Sequence, residues 1–301
     1  MRSGHSRTVA VLGPGGVGGL VGALAARAGH RVVFLAGAET VEVLRRDGVS
    51  VESKQFGTFQ VRVEADTELR EPADVCLVTV KQTSLAQALE RVPPAVLGDG
   101  LVVPLLNGID HVAALRDRYR PDQVVPAVVR VESTRVAPGR ITQGSSFVDI
   151  DLASATADRE RLDALARVLV DSGVRATVKD DENAVLWGKL SFLAPFALLT
   201  TRYGLTIGEV RTERRAELLA LVEETAALSR ACGGPGDPAA SLALYDAFPP
   251  EAKSSMQRDA EAGRPLELDA IGGALLRAAQ RHGVPVPLTD RLMDELSAVA
   301  G

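Results

Sequence analysis

Three glycines stand in the frame Gly13-x-Gly15-x-x-Gly18, directly after the apolar run Thr8-Val9-Ala10-Val11-Leu12 and before an alanine-rich helical pattern. A strand, a glycine turn and a helix start in that order can hold a dinucleotide pyrophosphate on main-chain N–H groups. In that reading Gly13 permits the tight turn and Gly15 lets the backbone approach the phosphates. Gly18 lets the helix pack close to the strand, while Pro14, Gly16 and Val17 complete the loop. The alternative is a glycine-rich turn that binds nothing. Two polar residues close later apolar runs: Lys81 follows Val75-Cys76-Leu77-Val78-Thr79-Val80, and Asn107 follows Leu101-Val102-Val103-Pro104-Leu105-Leu106. Lys189 shares one helical face with Phe192, Leu193, Phe196 and Ala197. It is either a lysine snorkelling at a core edge or a positioned ammonium. Glu267 lies between Leu266 and Leu268, and faces either solvent or a polar site.

The elements that must position these groups follow from periodicity. After the first strand and a helix over residues 16–28, Arg31-Val32-Val33-Phe34-Leu35 reads as a second strand. Residues 40–47 read as a short helix stopped by Gly48, and residues 49–63 as a hairpin around Gly57. The runs ending at Lys81 and Asn107 read as buried parallel strands. In open α/β sheets the ligand lies outside the carboxyl ends of the strands, so Lys81 and Asn107 are expected to converge on the glycine loop. Residues 124–132, 140–143 and 147–152 read as further strands in an antiparallel extension. Residues 158–172 read as an amphipathic helix and 174–178 as a closing strand. From residue 180 onward almost only helical periodicity remains. The long helix over residues 180–201 contains Pro195, which removes the hydrogen bond to the Ser191 carbonyl. Ser254 or Ser255 suits one helix cap and Asp269 another. The fold class is therefore α/β plus α: a Rossmann-type dinucleotide-binding domain over residues 1–179 and an all-helical domain over 180–301.

Composition narrows the classes. The chain has 301 residues, 46% hydrophobic and 24% charged, with a formal net charge of −5. This profile suits a globular protein and gives no general attraction to nucleic acid or anionic membranes. The two cysteines, Cys76 and Cys232, show no pairing or metal spacing, so no metal is expected and both read as buried thiols. The start of the chain lacks a hydrophobic signal core, and no apolar run reads as long enough to span a membrane. The expected location is cytoplasmic. The stripe Leu218, Leu219, Leu221, Val222 and Leu228 reads as core, with homodimerisation as the alternative. The second strand ends in Ala36-Gly37-Ala38-Glu39, with no carboxylate at its tip and no arginine after it. Absence of the acid leans toward NADPH, with NADH open.

Together these motifs resemble the ketopantoate reductase (2-dehydropantoate 2-reductase) family over nearly the whole chain. They are the glycine frame, Val80-Lys81, Leu105-Leu106-Asn107-Gly108, Trp187-Gly188-Lys189-Leu190, Ser254-Ser255-Met256-Gln257 and Glu267-Leu268-Asp269-x-Ile271-x-Gly273. The resemblance implies a Rossmann domain followed by a helical domain, reducing 2-ketopantoate with NADPH in the cleft between them. It gives Lys189 the role of general acid and Glu267 that of partner carboxylate. Asn107 would position the nicotinamide and the substrate, Lys81 would lie near the cofactor, and Ser255 would hold the substrate carboxylate. Hydride addition to a ketone builds an alkoxide, and a proton donor at that oxygen is worth about 10²–10⁴-fold. An unperturbed lysine titrates near ~10.4 and is protonated at neutral pH. Leu193 and Ala197, counted as substrate-facing, stand where the family usually offers asparagines to the substrate. Three readings follow: a ketopantoate reductase of pantothenate synthesis, a reductase of a more apolar 2-oxo acid or ketone, and a non-enzymatic dinucleotide sensor.

Overall fold

The structure, a computed structural model, describes residues 6–300. Its chain forms two compact units. One comprises the residues up to Leu106 together with His111–Glu182, and the other comprises Asn107–Asp110 with residues from Asn183 onward.

The first unit opens with β1 (Thr8–Leu12), α1 (Gly16–Arg27), β2 (Arg31–Leu35) and α2 (Ala38–Asp47). The hairpin β3 (Val49–Ser53) and β4 (Gly57–Val61) comes next, then β5 (Glu64–Asp66), β6 (Val75–Val78), α3 (Leu85–Leu89), α4 (Pro94–Leu97) and β7 (Leu101–Pro104). Strands β5-β2-β1-β6-β7 form one sheet in that order, every neighbouring pair parallel. All residues of β6 and β7 are buried, as expected where helices cover both faces of a parallel sheet. The order reverses between β1 and β6, and that switch point is where an open α/β sheet leaves a crevice at its carboxyl edge.

Beyond an isolated parallel bridge between Val124 and Val102 of β7, the later strands do not extend this sheet, contrary to the sequence expectation. After α5 (His111–Arg118), a helix the sequence reading lacks, come β8 (Ala127–Arg130), β9 (Ser133–Ala137), β10 (Arg140–Gln143), β11 (Asp149–Leu152), α6 (Arg159–Asp171) and β12 (Arg175–Val178). They form two separate mixed sheets, β4-β3-β10-β9 and β12-β11-β8. The reason lies in α1. Its residues from Gly18 to Ala25 are all buried, because the helix contacts β1 and β2 on one side and β3, β9 and β10 on the other. A helix buried all round carries no polar face, and this one needs a second sheet to cover it.

The second unit is helical: α7 (Glu182–Tyr203), α8 (Ile207–Glu213), α9 (Arg215–Ala231), α10 (Pro238–Ala247), α11 (Ser255–Glu261), α12 (Ala274–His282) and α13 (Pro287–Ala300), with a π-helical turn at Asp269–Gly273. The first residue of α7 belongs to the first unit, where both Glu182 oxygens accept 2.8 Å bonds from Arg116. The helix α7 is long and apolar enough to cross a membrane, with a mean hydropathy of 1.4, which corrects the expectation that no such run exists. In the structure 67% of that stretch is buried, its Trp187, Leu190, Leu198 and Leu199 packed with Leu218, Leu221 and Leu228 of α9. It is the central core helix of its unit. Asp269 does not cap a helix as expected. It begins the π-turn, and its carboxylate accepts a 2.6 Å bond from Arg277. Ser254 does cap α11, accepting from the Gln257 N–H at 3.0 Å, and it is tied to α7 through the Thr200 hydroxyl at 2.9 Å.

Pro195 lies inside α7 and cannot donate to the Ser191 carbonyl. The hydroxyl of Thr225 on α9, 99% buried, lies 3.3 Å from that oxygen and 3.1 Å from the Val222 carbonyl. Thr225→Val keeps the shape and removes the donor. It is expected to destabilise the second unit by about 1–3 kcal/mol, the cost of a buried acceptor left unmade. Trp187 is the single tryptophan and is buried in that unit, so its fluorescence during urea unfolding reads the change. An unshifted midpoint would remove Thr225 from this role.

Candidate active site

The glycine turn leaves β1 at Leu12. Gly13 sits at φ +93°, a conformation that side chains other than glycine's rarely tolerate, and its N–H donates to the Leu35 carbonyl at 3.1 Å. Its own carbonyl accepts from Gly15 at 2.7 Å and from the Thr79 hydroxyl at 2.6 Å. Thr79 also donates its N–H to the Leu12 carbonyl at 2.9 Å. The turn is thus sewn to the exit of β6, the strand across the switch point. Thr79 is a residue the sequence reading passed over; a hydroxyl in an otherwise apolar run was its only signal. Ser133 on β9 was also missed. Its hydroxyl donates to the Gly16 carbonyl at 2.8 Å.

The space around the loop suits a pyrophosphate. A Cβ added at Gly15 meets nothing within 4 Å, whereas one at Gly18 meets the Thr79 hydroxyl at 2.1 Å and the Gly13 carbonyl at 2.5 Å. The chain is therefore closed behind Gly18 and open in front of Gly15. The N-cap residue of α1, Gly15, has no side chain to cap it and no acid stands in the first turn, so the first N–H groups keep their capacity for an anion. Gly13, Pro14, Gly15, Gly16, Val17 and Gly18 are the residues that would hold a dinucleotide here. Lys81, half-buried, follows β6 and begins the short 3₁₀ turn Gln82–Ser84. Both β6 and β7 end a little before Lys81 and Asn107, at Val78 and Pro104.

The second unit brings together two other expected residues. Asn107 donates from Nδ2 to Glu267 Oε2 at 3.1 Å, and Glu267 is only 9% exposed. The Glu267 main-chain carbonyl accepts from the Ile271 N–H at 3.1 Å, leading into the π-turn. Gly108, at φ +81°, lies so close to that turn that a Cβ would stand 2.2 Å from the Ala270 carbonyl. Arg277 completes the clamp: it donates to Asp110 at 2.9 and 2.8 Å and to Asp269 at 2.6 Å. The segment Asn107–Asp110 is thus bound at both ends, which fixes the amide of Asn107 on the carboxylate. Such π-turns cluster at functional sites.

The remaining expected residues are placed as follows. Lys189 is half-buried on α7 between the buried Trp187 and Leu190. Leu193, one turn on, is half-buried and packs against the core. Ala197 is fully enclosed in that core and presents no surface to a ligand, which corrects its reading as substrate-facing. Ser255 is exposed in the first turn of α11, beside the buried cap Ser254. Among the described residues no cluster of His, Cys, Asp or Glu could hold a metal. Burial pushes the Cys76 thiol up to about 12, so it is inert at neutral pH.

Comparison with known proteins decides the family. The pattern described as ketopantoate reductase PanE/ApbA matches residues 9–154, and that of the PanE/ApbA C-terminal region matches residues 181–300. The chain belongs to the ketopantoate reductase family. It is 29% identical to the uncharacterized oxidoreductase YkpB of Bacillus subtilis over 295 residues, covering 95% of this chain and 96% of that one. It is 29% identical to the 2-dehydropantoate 2-reductase of Caulobacter vibrioides over 302 residues, covering 97% and 99%. A solved 2-dehydropantoate 2-reductase from Geobacter metallireducens superposes with a TM-score of 0.88 at 27% identity, covering 97% and 99%. Ketopantoate reductases are oxidoreductases that act on a CH–OH or keto group of a small 2-oxo acid with a nicotinamide dinucleotide, and this chain is an enzyme of that class.

The two glycines give separable outcomes. Gly15→Ala fills open space, so its unfolding midpoint is expected to match the parent, while dinucleotide affinity falls by about tenfold or more, or ~1.4 kcal/mol. Gly18→Ala overpacks the loop and is expected to lose about 1–3 kcal/mol of stability. Calorimetric binding of NADP⁺ together with thermal unfolding reads both. Unchanged affinity in Gly15→Ala would place the pyrophosphate elsewhere.

Proposed function

We propose that this chain is a cytoplasmic, NADPH-dependent reductase of 2-dehydropantoate that forms pantoate for pantothenate biosynthesis. The observation that carries the reading is the buried Glu267 carboxylate held at 3.1 Å by the Asn107 amide, in a unit whose central helix presents the half-buried Lys189. Several relatives bear the name 2-dehydropantoate 2-reductase, from Caulobacter vibrioides and Mesorhizobium japonicum among others.

The glycine loop would hold the pyrophosphate of a reduced nicotinamide dinucleotide, which when bound would supply the hydride. The residues of the chain do the rest. Lys189 donates a proton from its ammonium to the ketone oxygen as negative charge develops there. Glu267, restrained by Asn107, orients that ammonium or the substrate. An anchored carboxylate loses little freedom when the site fills, and this favours the reacting geometry. Ser255 receives the substrate carboxylate, and Lys81 lies by the cofactor.

One observation favours a second substrate. Leu193 occupies the α7 face one turn from Lys189, and Ala197, one turn further, is sealed in the core. A site that hydrogen-bonds a substrate hydroxyl discriminates by that bond, and leucine makes none. An apolar 2-oxo acid, which needs no such bond, is therefore the second reading.

Lys189→Gln is expected to lower kcat by about 10²–10⁴-fold while NADP⁺ binding, followed by calorimetry, stays at the parent value. Undiminished turnover would remove Lys189 from the chemistry. Rates on ketopantoate and on its analogue lacking the hydroxyl separate the two substrates. If the analogue is preferred, Leu193→Asn should raise kcat/KM for ketopantoate by about tenfold or more, and no gain would clear Leu193 of setting specificity.

A further inference from the structure

The sequence lacks an arginine after the second strand, yet the structure supplies one there from elsewhere. Arg91 follows α3. Its Nη1 donates to the Ala36 carbonyl at 3.0 Å, across 55 positions of sequence, and to the Thr67 carbonyl at 2.6 Å. Ala36 is the first residue past β2, and Thr67 the first past β5. The main chain of Arg91 is fixed as well, its carbonyl accepting from the Leu69 N–H at 2.7 Å. The guanidinium is therefore held at the carboxyl ends of two adjacent strands.

Its remaining capacity points outward from those bonds. A guanidinium has five N–H donors, and the two on Nη1 are taken by the carbonyls. The Nε and Nη2 donors bond to no protein group among the described residues, and no carboxylate pairs with this half-buried cation. Other arginines by the β5 exit are paired with carboxylates: Arg45 with Asp66, and Arg70 with Asp66 and Glu68. In a Rossmann unit the carboxyl end of the second strand receives the adenosine ribose, where a carboxylate selects a free 2′-hydroxyl and an arginine accommodates a 2′-phosphate. The geometry points to Arg91 as the residue that binds the 2′-phosphate of the dinucleotide and so selects NADPH over NADH. Planar donors of this kind engage phosphate oxygens in pairs. Glu39, exposed in the first turn of α2, is the nearest acid in sequence to the β2 exit. Its charge opposes a phosphate, which makes the cation of Arg91 the deciding group.

This assignment rests on the dinucleotide reading of the glycine loop, and the test separates the two. Calorimetry on the full chain with 2′,5′-ADP and with 5′-ADP isolates the phosphate without any turnover. The parent should bind 2′,5′-ADP at least about tenfold more tightly, and Arg91→Gln should erase that advantage by about 10- to 100-fold while 5′-ADP binding is unchanged. Arg91→Lys, which keeps the charge without the fork, should recover part of it. A parent that prefers 5′-ADP overturns the assignment and leaves an NADH-dependent reductase standing. Equal losses for both nucleotides in Arg91→Gln overturn it too, since they mark a merely structural tie between the β2 and β5 exits. If the parent binds neither nucleotide, the glycine loop is not a dinucleotide site and both readings fall.

Discussion

The first unit depends on how closely α1 lies against its neighbours. A Cβ at Gly18 would stand 2.1 Å from the Thr79 hydroxyl and 3.0 Å from the Val11 side chain of β1, and on the far side Ile141 of β10 reaches to 2.5 Å of where a Gly19 Cβ would stand. This closeness turns a run of glycines into a rigid object. The helix is pressed between two sheets, its N-cap residue is a glycine with no side chain, and the space in front of Gly15 is open. Anion affinity at a helix start needs orphan N–H groups in a fixed orientation, and packing on the back of the helix provides the fixing.

The second unit solves a different problem. A long apolar helix with a proline in it must be buried without leaving its carbonyls unmet. Helix α9 meets this with one threonine, while α11 and α10 are tied to the same helix through Thr200 to Ser254 and through the Tyr245 hydroxyl, which donates to the Phe192 carbonyl. Phe192 and Tyr245 stack at 4.5 Å between ring centroids. The residues proposed for the chemistry then sit at the edge of a well-fixed core. Lys189 and Leu193 remain half-buried on a helix that is sealed from Ala194 to Thr200.

Local signals in the sequence were legible and distant ones were not. The strand Thr8–Leu12, the helix start at Gly16 and the long α7 are set by period and by glycine breaks that act within a turn or two. Thr79 and Ser133 were invisible as loop-holding residues because their partners lie 66 and 117 positions away. The bond joining Asn107 to Glu267 spans 160 positions; the residue types were readable, their meeting was not. Strand β9 escaped notice because its three central residues are exposed and it carries no alternating apolar face. A cap at Asp269 was the natural reading of an acid before a helical pattern, but the helix starts earlier and Arg277 takes the carboxylate. Leu193 is plain in the sequence, and its consequence depends on what the site must bind.

The four residues Asn107–Asp110 are donated by the middle of one unit to the other. Neither unit is therefore a cassette. A fragment beginning at Asn183 would carry Glu267 without its amide and Arg277 without Asp110, and a fragment ending at Glu182 would carry those four residues with nothing to hold them. Grafting the helical half of one relative onto the Rossmann half of another must move this tetrapeptide with the helices. Substitutions at positions 107 and 110 are constrained by a partner sequence that begins more than 150 residues downstream.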